Sequence, residues 1–278
     1  MSRKRATLTD LLNDLTFRTV YDKFRLISTN AFEWNGLPDG ILERHVELQL
    51  FRHGKAIFFK AKDMGHMCLE VSDGGEFNVY GDPTLYHAHG FGFHQTVNAE
   101  DCVIIENNLL RIPTHDFIMF YANKITEAER TMDVNIKANK TPVVFTCDDR
   151  DVLSAKRVFQ QVDGNVPAIF ADKALNLESI TALDMRAKFL GNELMDYKHS
   201  VESELLTFLG INNPAVDKRE RLITDEVNSN NQLIDSFMEL QLEARQRACD
   251  AINAKYGLHV SVKRRESEGG SEHVAPAV

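Results

Sequence analysis

The feature that most constrains the fold is a stripe of apolar residues in the second half of the chain. Its members, at spacings that alternate between four and three residues, are Leu183, Ala187, Leu190, Leu194, Tyr197, Val201 and Leu205. This heptad-like spacing is typical of a long helix that packs against other helices. It predicts a helix over residues 183–209, about 40 Å long at 1.5 Å per residue. Charged residues fill the other faces, which favours packing against other helices, of the same or of other subunits, over a plain core stripe.

Three further segments carry apolar residues at helical spacing. They predict helices over residues 7–33, 115–139 and 237–256, the last ending at Gly257. Between the second of these and the heptad-like helix lie two short apolar runs, "TPVVFT" (141–146) and "VPAIFA" (166–171), on either side of a predicted helix at about 151–161. Two long helices therefore bracket a small strand–helix–strand insert.

The chain changes character between residues 42 and 112. Runs such as "HVELQLF" and "KAIFFKAK" alternate with period two, and Asp-Gly-Gly and Gly-Asp-Pro mark turns. Short strands at this spacing predict a small antiparallel sheet or barrel. The residues after position 264 have no periodic apolar face and are predicted to form a disordered tail.

A polar stretch interrupts the helical pattern near the C-terminal end. The helical pattern runs up to Val227 and resumes at Ile234, and residues 228–232 between them are all amides and hydroxyls. They predict a soft, uncharged loop between two helices. The residues of this loop are Asn228, Ser229, Asn230, Asn231 and Gln232.

Charge and cysteine usage restrict the class of function. With 32 basic and 41 acidic residues the net charge is −9, which argues against tight wrapping around nucleic acid or an anionic membrane, though not against loose passage of a polyanion. No apolar run approaches the ~20 residues of a membrane span. The cysteines are scattered and predict free thiols in a reducing, cytosolic compartment. They are Cys68, Cys102, Cys147 and Cys249.

Chemistry-bearing motifs are few. In "YHAHGFGFH", His87 and His89 would share one strand face and His94 could close a metal site, but no carboxylate or thiol stands at a supporting spacing, which favours half-exposed strand histidines. The sequence contains no nucleophile elbow, Walker loop or dinucleotide fingerprint. Arg3, Lys4 and Arg5 form a basic arm that either contacts phosphates or serves only as solubilising charge. The residues alone therefore indicate an elongated, oligomeric helical protein with a small β domain and no catalysis.

Six stretches, in order along the chain, carry a family resemblance. They are "FEWNGLP", "KTPVV", "GNVPAIF", "TFLGI", "KRERLITDEVNSN" and "ACDAINAKYGLHVSV". Together they resemble the upper-collar protein, the portal or head–tail connector, of small short-tailed protein-primed DNA phages of the phi-twenty-nine type. The resemblance covers nearly the whole chain and is densest from 140 to 262.

The resemblance implies an α+β fold assembled as a ring of twelve subunits around a DNA channel at one capsid vertex. Residues 1–41 would form the basic arm and first helix, and 42–114 a wing with an SH3-like β-barrel. Stem helices would span 115–139 and 181–210, on either side of an α/β clip at 140–180. A short helix and the channel loop would occupy 211–236, a crown-side helix and strand 237–264, and a disordered tail 265–278.

The resemblance also implies the site residues. The loop 228–232 would line the channel and touch DNA phosphates weakly. Lys198 matches a channel-facing stem lysine, and Lys188 stands beside Phe189, where a second would fall. Arg3, Lys4 and Arg5 match an arm that contacts nucleic acid. No catalytic residue, metal or cofactor is implied.

The implied partners are further copies of the chain, genomic double-stranded DNA, capsid and scaffold proteins, a packaging ATPase, lower-collar or tail proteins and, in phages that have one, a packaging RNA. No membrane is involved, and the location is the virion after assembly in the host cytoplasm. Two alternatives remain open: a metal-dependent enzyme built on the histidine cluster of the β domain, and a helical scaffold or chaperone.

Overall fold

The computed structural model describes residues 8–140, 143–146, 181–184, 188–212 and 224–265, with side chains described for 13–139, 188–212 and 231–265. The described residues form a mixed helix and sheet structure, as the sequence predicted. The helices are α1 (Leu8–Thr29), α2 (Glu43–His53), α3 (Thr114–Lys140), α4 (Gly191–Phe208) and α5 (Thr224–Tyr256). The strands are β1 (Phe32–Asn35), β2 (Lys55–Ala61), β3 (Gly65–Phe77), β4 (Pro83–Gly90), β5 (Phe93–Asn98), β6 (Cys102–Glu106), β7 (Val143–Thr146), β8 (Thr181–Asp184) and β9 (Ser261–Arg264).

The main sheet has five antiparallel strands in the order β5-β4-β3-β2-β6. The long strand β3 pairs with β2 along its first part, up to Leu69, and with β4 from Glu70 onward. A register shift between Gly74 and Phe77 marks a bulge at the far end. Strands β5 and β6 remain edges, so the described residues of this region form an open sheet and not a closed barrel.

Two small antiparallel ribbons complete the strand pairing that the structure describes. Strand β1 pairs with β9, which joins the end of the first helical segment to the end of the described chain. Strand β7 pairs with β8, with Val143 opposite Asp184. Strand β7 lies within the predicted clip (140–180) and β8 directly follows it; the helix predicted at 151–161 and the strand predicted at 166–171 lie outside the described residues.

The chain divides into two compact units. The first comprises Met1–Asn123 and Glu202–Val278, and the second Lys124–Val201. In the first unit the sheet is covered by core residues on both faces. Phe58 and Leu50 belong to a cluster with Ile252 of α5, whereas Ile57 and Phe59 point to the opposite face of the sheet. The alternation along β2 therefore serves two separate apolar clusters.

A buried ion pair lies within the first cluster. The guanidinium of Arg245 on α5 donates to both carboxylate oxygens of Glu47 on α2, at 2.9 and 2.8 Å. Its remaining N–H groups donate to Gln241 O and to the carbonyl and side-chain oxygens of Asn107, and Trp34 Nε1 donates to Glu47 at 2.8 Å. Both charged side chains are almost fully buried. Every donor of the guanidinium is paired, as a buried charge requires.

The structure corrects the prediction of a strand at 45–51. These residues lie in helix α2, whose buried side chains are Val46, Glu47, Leu50 and Phe51, the i, i+1, i+4, i+5 pattern of a helical face. The helix ends at Gly54, whose φ of +72° is the left-handed conformation of a helix C-cap.

Two further predictions need correction. The helix expected over 183–209 begins only at Gly191, because Leu183 belongs to strand β8. The loop expected at 228–232 is wrong as a conformation, since α5 is a single helix from Thr224 to Tyr256 that includes it. Ile234 and Met238, one turn apart on this helix, are both buried and hold it against the core. Among the described residues no helix is long and apolar enough to cross a membrane.

Candidate functional site

The predicted channel lysines both lie in the second unit, and both have a carboxylate partner. Lys198 Nζ on α4 lies 2.7 Å from Glu129 Oε1 on α3, and the two side chains are 21% and 30% exposed. Lys188 Nζ lies 3.6 Å from Glu193, with both side chains well exposed. Because partial burial strengthens an ion pair, the Lys198 charge is largely compensated, whereas the Lys188 contact is weak.

A buried amide fixes the segment that carries Lys188. Asn135 on α3 donates from Nδ2 to the carbonyl of Lys188 at 2.8 Å, and its Oδ1 accepts from the N–H of Leu190 at 3.0 Å. Its side chain is 8% exposed. The amide thus takes the place of a backbone partner just before α4 begins. Sequence reasoning missed Asn135, because its partners lie more than 50 residues away.

The helices of the second unit carry large apolar side chains open to water. Val134 and Ile136 of α3 are 64% and 54% exposed, and on or just before α4 Phe189, Met195 and Tyr197 are 41–56% exposed. Tyr197 is a member of the heptad-like stripe, whereas Val201 and Leu205, further along it, are buried. Part of the stripe is therefore left uncovered within one chain.

The amide-rich stretch lies in the first unit, at the N-terminal end of α5. Of its five residues the structure describes the side chains of two: Asn231 is half-buried and Gln232 exposed. Leu233 is half exposed next to the buried Ile234, and Ser236 Oγ donates to Gln232 O at 2.7 Å. The two amides therefore stand near the boundary between a packed and an open face of the helix.

The histidine cluster lies on one face of the sheet. The prediction that His87 and His89 share a strand face is confirmed. His89 is paired in register with His94, and His87 with Thr96. The Nδ1 atoms of His89 and His94 are 3.1 Å apart, and Ser72 Oγ lies 2.8 Å from His89 Nε2. The hydrogen-bonding neighbours are hydroxyls and another imidazole. In the described ranges no group of three or more histidine, cysteine, aspartate or glutamate side chains is arranged to hold a metal ion.

An apolar cleft of about 340 Å³ opens in the first unit between α5 and the loop after β6. Phe208 stacks on Phe117 at 4.0 Å between ring centroids and contacts Phe237 at 5.4 Å. Leu109 and Leu110 at its rim are 68% and 74% exposed. Sequence reasoning did not find this cleft, because its lining comes from three distant segments.

The thiols that the structure describes are free and buried, which confirms the prediction for three of the four cysteines. Burial raises the pKa of Cys68 and Cys249 to about 12 and that of Cys102 to about 11. Such thiols are poor nucleophiles at neutral pH and suit a packing role. Cys147 and the arm residues Arg3, Lys4 and Arg5 lie outside the described residues.

Comparison with known structures finds similar chains in phage and phage-like particles. The chain is similar to a HK97 family phage portal protein from Corynebacterium diphtheriae, at 10% identity over 95% of this chain and 96% of that one, with a TM-score of 0.50. It is also similar to a chain of the portal and tail of native bacteriophage P68 (15% identity, 96% and 94% coverage, TM-score 0.48). A third is a chain of the virion of a native gene transfer agent particle (12%, 92% and 84%, TM-score 0.49).

The first of these likenesses shows a portal-type fold. A comparison with family models goes further, because the model described as Phage Connector (GP10) matches residues 3–268, nearly the whole chain. The chain therefore belongs to the phage connector family, and its role is that of a head–tail connector, or portal, protein.

Proposed function

We propose that the protein works as a ring of twelve copies whose central channel passes double-stranded genomic DNA during packaging and ejection, in a connector of the phi-twenty-nine type. The ring would sit at one vertex of the capsid in the virion, after assembly in the host cytoplasm. Membership of the connector family supports this proposal. The observation that carries it is the uncovered apolar surface on the helices of the second unit.

That surface needs a partner of the same character. Five large apolar side chains of the second unit are 41–64% exposed: Val134, Ile136, Phe189, Met195 and Tyr197. Burying the remaining half of each against another helix would contribute about 1 kcal/mol per side chain. A heterologous contact that repeats around a closed ring would cover this surface in every copy.

The charges suit a channel that does not hold DNA tightly. Each chain carries a net charge of −9, so the assembled wall tends to repel the duplex. Lys198 is compensated by Glu129, which leaves Lys188 as the more open of the two stem cations. We propose that both lysines, with the amide-rich stretch 228–232, line the channel and make weak, sequence-independent contacts with phosphates.

The other regions are assigned by the family resemblance and stay proposals. Residues 42–114 would form the SH3-like wing towards the capsid and scaffold proteins. Strand β3 pairs with β2 along its first part and with β4 along its second, which is consistent with a curled sheet. The clip at 140–180 would meet the packaging ATPase and the lower-collar or tail proteins. Arg3, Lys4 and Arg5 would contact nucleic acid, including a packaging RNA where the phage has one.

Assembly is tested by native mass spectrometry with negative-stain images of the purified protein. We expect a closed ring of about twelve subunits with a central hole. Val134→Asp with Ile136→Asp should shift the population to smaller species, because two charges would enter the proposed interface. Val79→Asp, at a hairpin tip where Val79 is 94% exposed, is the matched control. A wild-type monomer over a broad concentration range would contradict the ring.

The channel assignment has its own test. Gln232→Lys adds a cation at an exposed position of α5 in every copy. If this position lines the channel, packaging in a reconstituted particle should slow and become more dependent on salt, since each new phosphate contact releases counterions. Gln232→Glu is the control of opposite charge. Equal packaging rates for the two variants would place Gln232 outside the channel.

A further inference from the structure

Helices α1 and α2 leave a cleft of about 450 Å³ between them in the first unit. Its apolar lining is supplied by Leu26, which is 66% exposed, and by the half-buried Leu48. Its charged lining includes Arg25 of α1 and Arg44 of α2. The cleft combines an apolar surface with guanidinium groups, which suits a segment bearing both carboxylates and small apolar side chains.

The arginines of the cleft are available to a partner. The guanidinium of Arg44 is exposed and forms no hydrogen bond or ion pair with any residue in the described ranges. Arg25 has one ion pair there, with Asp22 at 3.7 Å, and that carboxylate is 65% exposed. Glu43, the other acidic residue of the lining, is engaged by Arg265 at 2.6 Å. The two arginines and the two carboxylates of the lining cancel in sum, so what the cleft offers to an acidic partner is chiefly the guanidinium of Arg44, unpaired among the described residues.

The described chain ends at the edge of this cleft. The N–H of Arg265 donates to Ala31 O at 2.9 Å, and its guanidinium donates to Asn30 O at 3.1 Å as well as to Glu43. Asn30 and Glu43 both line the cleft. The sequence that follows Arg265 is "ESEGGSEHVAPAV", which begins with acidic residues and continues with small apolar ones.

We propose that the cleft between α1 and α2 binds the segment that follows Arg265, residues 266–278 of the same chain, through Arg44 and Arg25. In the sequence, Glu266 and Glu268 are the first two carboxylates after Arg265, the residue at the edge of the cleft. The segment that lines the cleft on this side, from Asp22 on α1 to Asn30 just after it, is about 12 Å long. An extended chain covers this distance in about four residues, so the 13 residues after Arg265 suffice.

Nucleic acid is a poorer fit to the same cleft. Polyanion affinity depends on many cations that displace counterions together. Here two arginines stand beside the carboxylates of Asp22 and Glu43, in a chain with a net charge of −9. The apolar side chains of Leu26 and Leu48 also have no use in phosphate binding. An acidic peptide segment is therefore the occupant that the lining favours.

The test measures the reactivity of Arg44 towards phenylglyoxal, read by peptide mass spectrometry. In the full chain the segment should shield Arg44, and Glu266→Lys/Glu268→Lys should raise its modification rate by ~threefold or more, given millimolar effective concentrations for a tethered segment. Arg52, which is exposed on the same helix but outside this cleft, is the internal control and should not change. A chain ending at Arg265 should behave like the charge-reversed variant.

Three results would overturn the proposal. The first is an equal rate at Arg44 in the wild-type chain and in both variants. The second is an equal rise at Arg52, which would indicate a general electrostatic effect. The third is shielding of Arg44 by a single-stranded RNA oligonucleotide in the chain ending at Arg265, with none by the segment, which would assign the cleft to nucleic acid. Because the assay can be run on the separated subunit and on assembled protein, its outcome does not depend on whether the ring forms.

Discussion

Removing the buried guanidinium of Arg245 should destabilise the first unit more than any surface change. Arg245→Ala would leave the carboxylate of Glu47 with the indole N–H of Trp34 as its remaining hydrogen-bond partner among those described here. Glu47 is 3% exposed, so bulk water does not reach its carboxylate in the wild-type packing and the lost donors have no ready replacement. The variant would also remove the guanidinium that lies 4.0 Å from the ring centroid of Phe32.

The expected loss follows from the cost of an uncompensated buried charge. Breaking such a pair by removing one partner costs about 3–5 kcal/mol. For a domain of this size the loss corresponds to a fall in Tm of roughly 6–20 °C. Replacing both partners with apolar residues of similar volume, Arg245→Met with Glu47→Leu, should cost less than Arg245→Ala, because no charge is left buried.

The assay is thermal and urea unfolding at one fixed protein concentration, since assembly adds to apparent stability. Lys263→Ala is the matched control: its partner Glu33 lies 3.4 Å away, and the lysine is 63% exposed, so the loss should stay below about 1 kcal/mol. An Arg245→Ala cost no larger than that of Lys263→Ala would refute the reasoning. It would mean that water reaches the carboxylate of Glu47 in the folded variant.

Three further perturbations follow from single contacts. Burial raises the pKa of the three described thiols to about 11–12. Their contribution to the free energy of unfolding should therefore be fully present below the ordinary thiol pKa of about 8.5 and be lost as the pH rises towards 11. Unfolding measured at stepped pH checks this, and a free energy of unfolding that does not change over this range would contradict it. Gly54→Ala should cost more than about 1 kcal/mol in urea unfolding, because φ is +72° and the new Cβ would collide with Arg111 O, whereas Gly40→Ala, also at positive φ but in open space, should cost less. Asn135→Ala should increase amide exchange at Leu190, whose N–H loses its acceptor, while Asn123→Ala leaves that exchange unchanged.

The local sequence pattern correctly predicts the helices and strands whose own apolar residues determine which face is buried. The helices expected at 7–33 and 115–139 correspond to α1 at Leu8–Thr29 and α3 at Thr114–Lys140. The sheet expected within 42–112 is also present. In each case the spacing of the apolar residues indicates a helix or a strand, and capping or turn residues mark where it begins and ends.

Helix α2 shows where a local pattern is ambiguous. "HVELQLF" satisfies period two, but it also places Val46 and Leu50 four residues apart. What decides the matter is Glu47, a charged residue that is buried because Arg245 reaches it from 198 residues away. No inspection of the segment alone can supply that partner.

The candidate site fails to emerge from sequence for the same reason. The family resemblance assigns Lys198 to the channel wall, but the sequence does not show that Glu129 lies 2.7 Å from its ammonium group. The difference matters to function, because a paired lysine slows a passing polyanion less than a free one. The pairing depends on the register between α3 and α4, which is set by tertiary packing.

The amide-rich stretch at the start of α5 shows why the loop prediction was wrong. Asparagine, serine, threonine and aspartate each disfavour a helix by up to about 0.7 kcal/mol relative to alanine, so residues 224–232 have a weak helical preference of their own. Their helical state is supported by the packed turns that follow, from Ile234 and Met238 to Ile252. Spacings of seven and four residues from Val227 to Ile234 and Met238 continue one stripe, and this signal indicates a single helix. By residue preference alone, the first turns of α5 should cost less to unwind than the turns that follow, and the channel lining that we propose would need this property in order to yield to moving DNA.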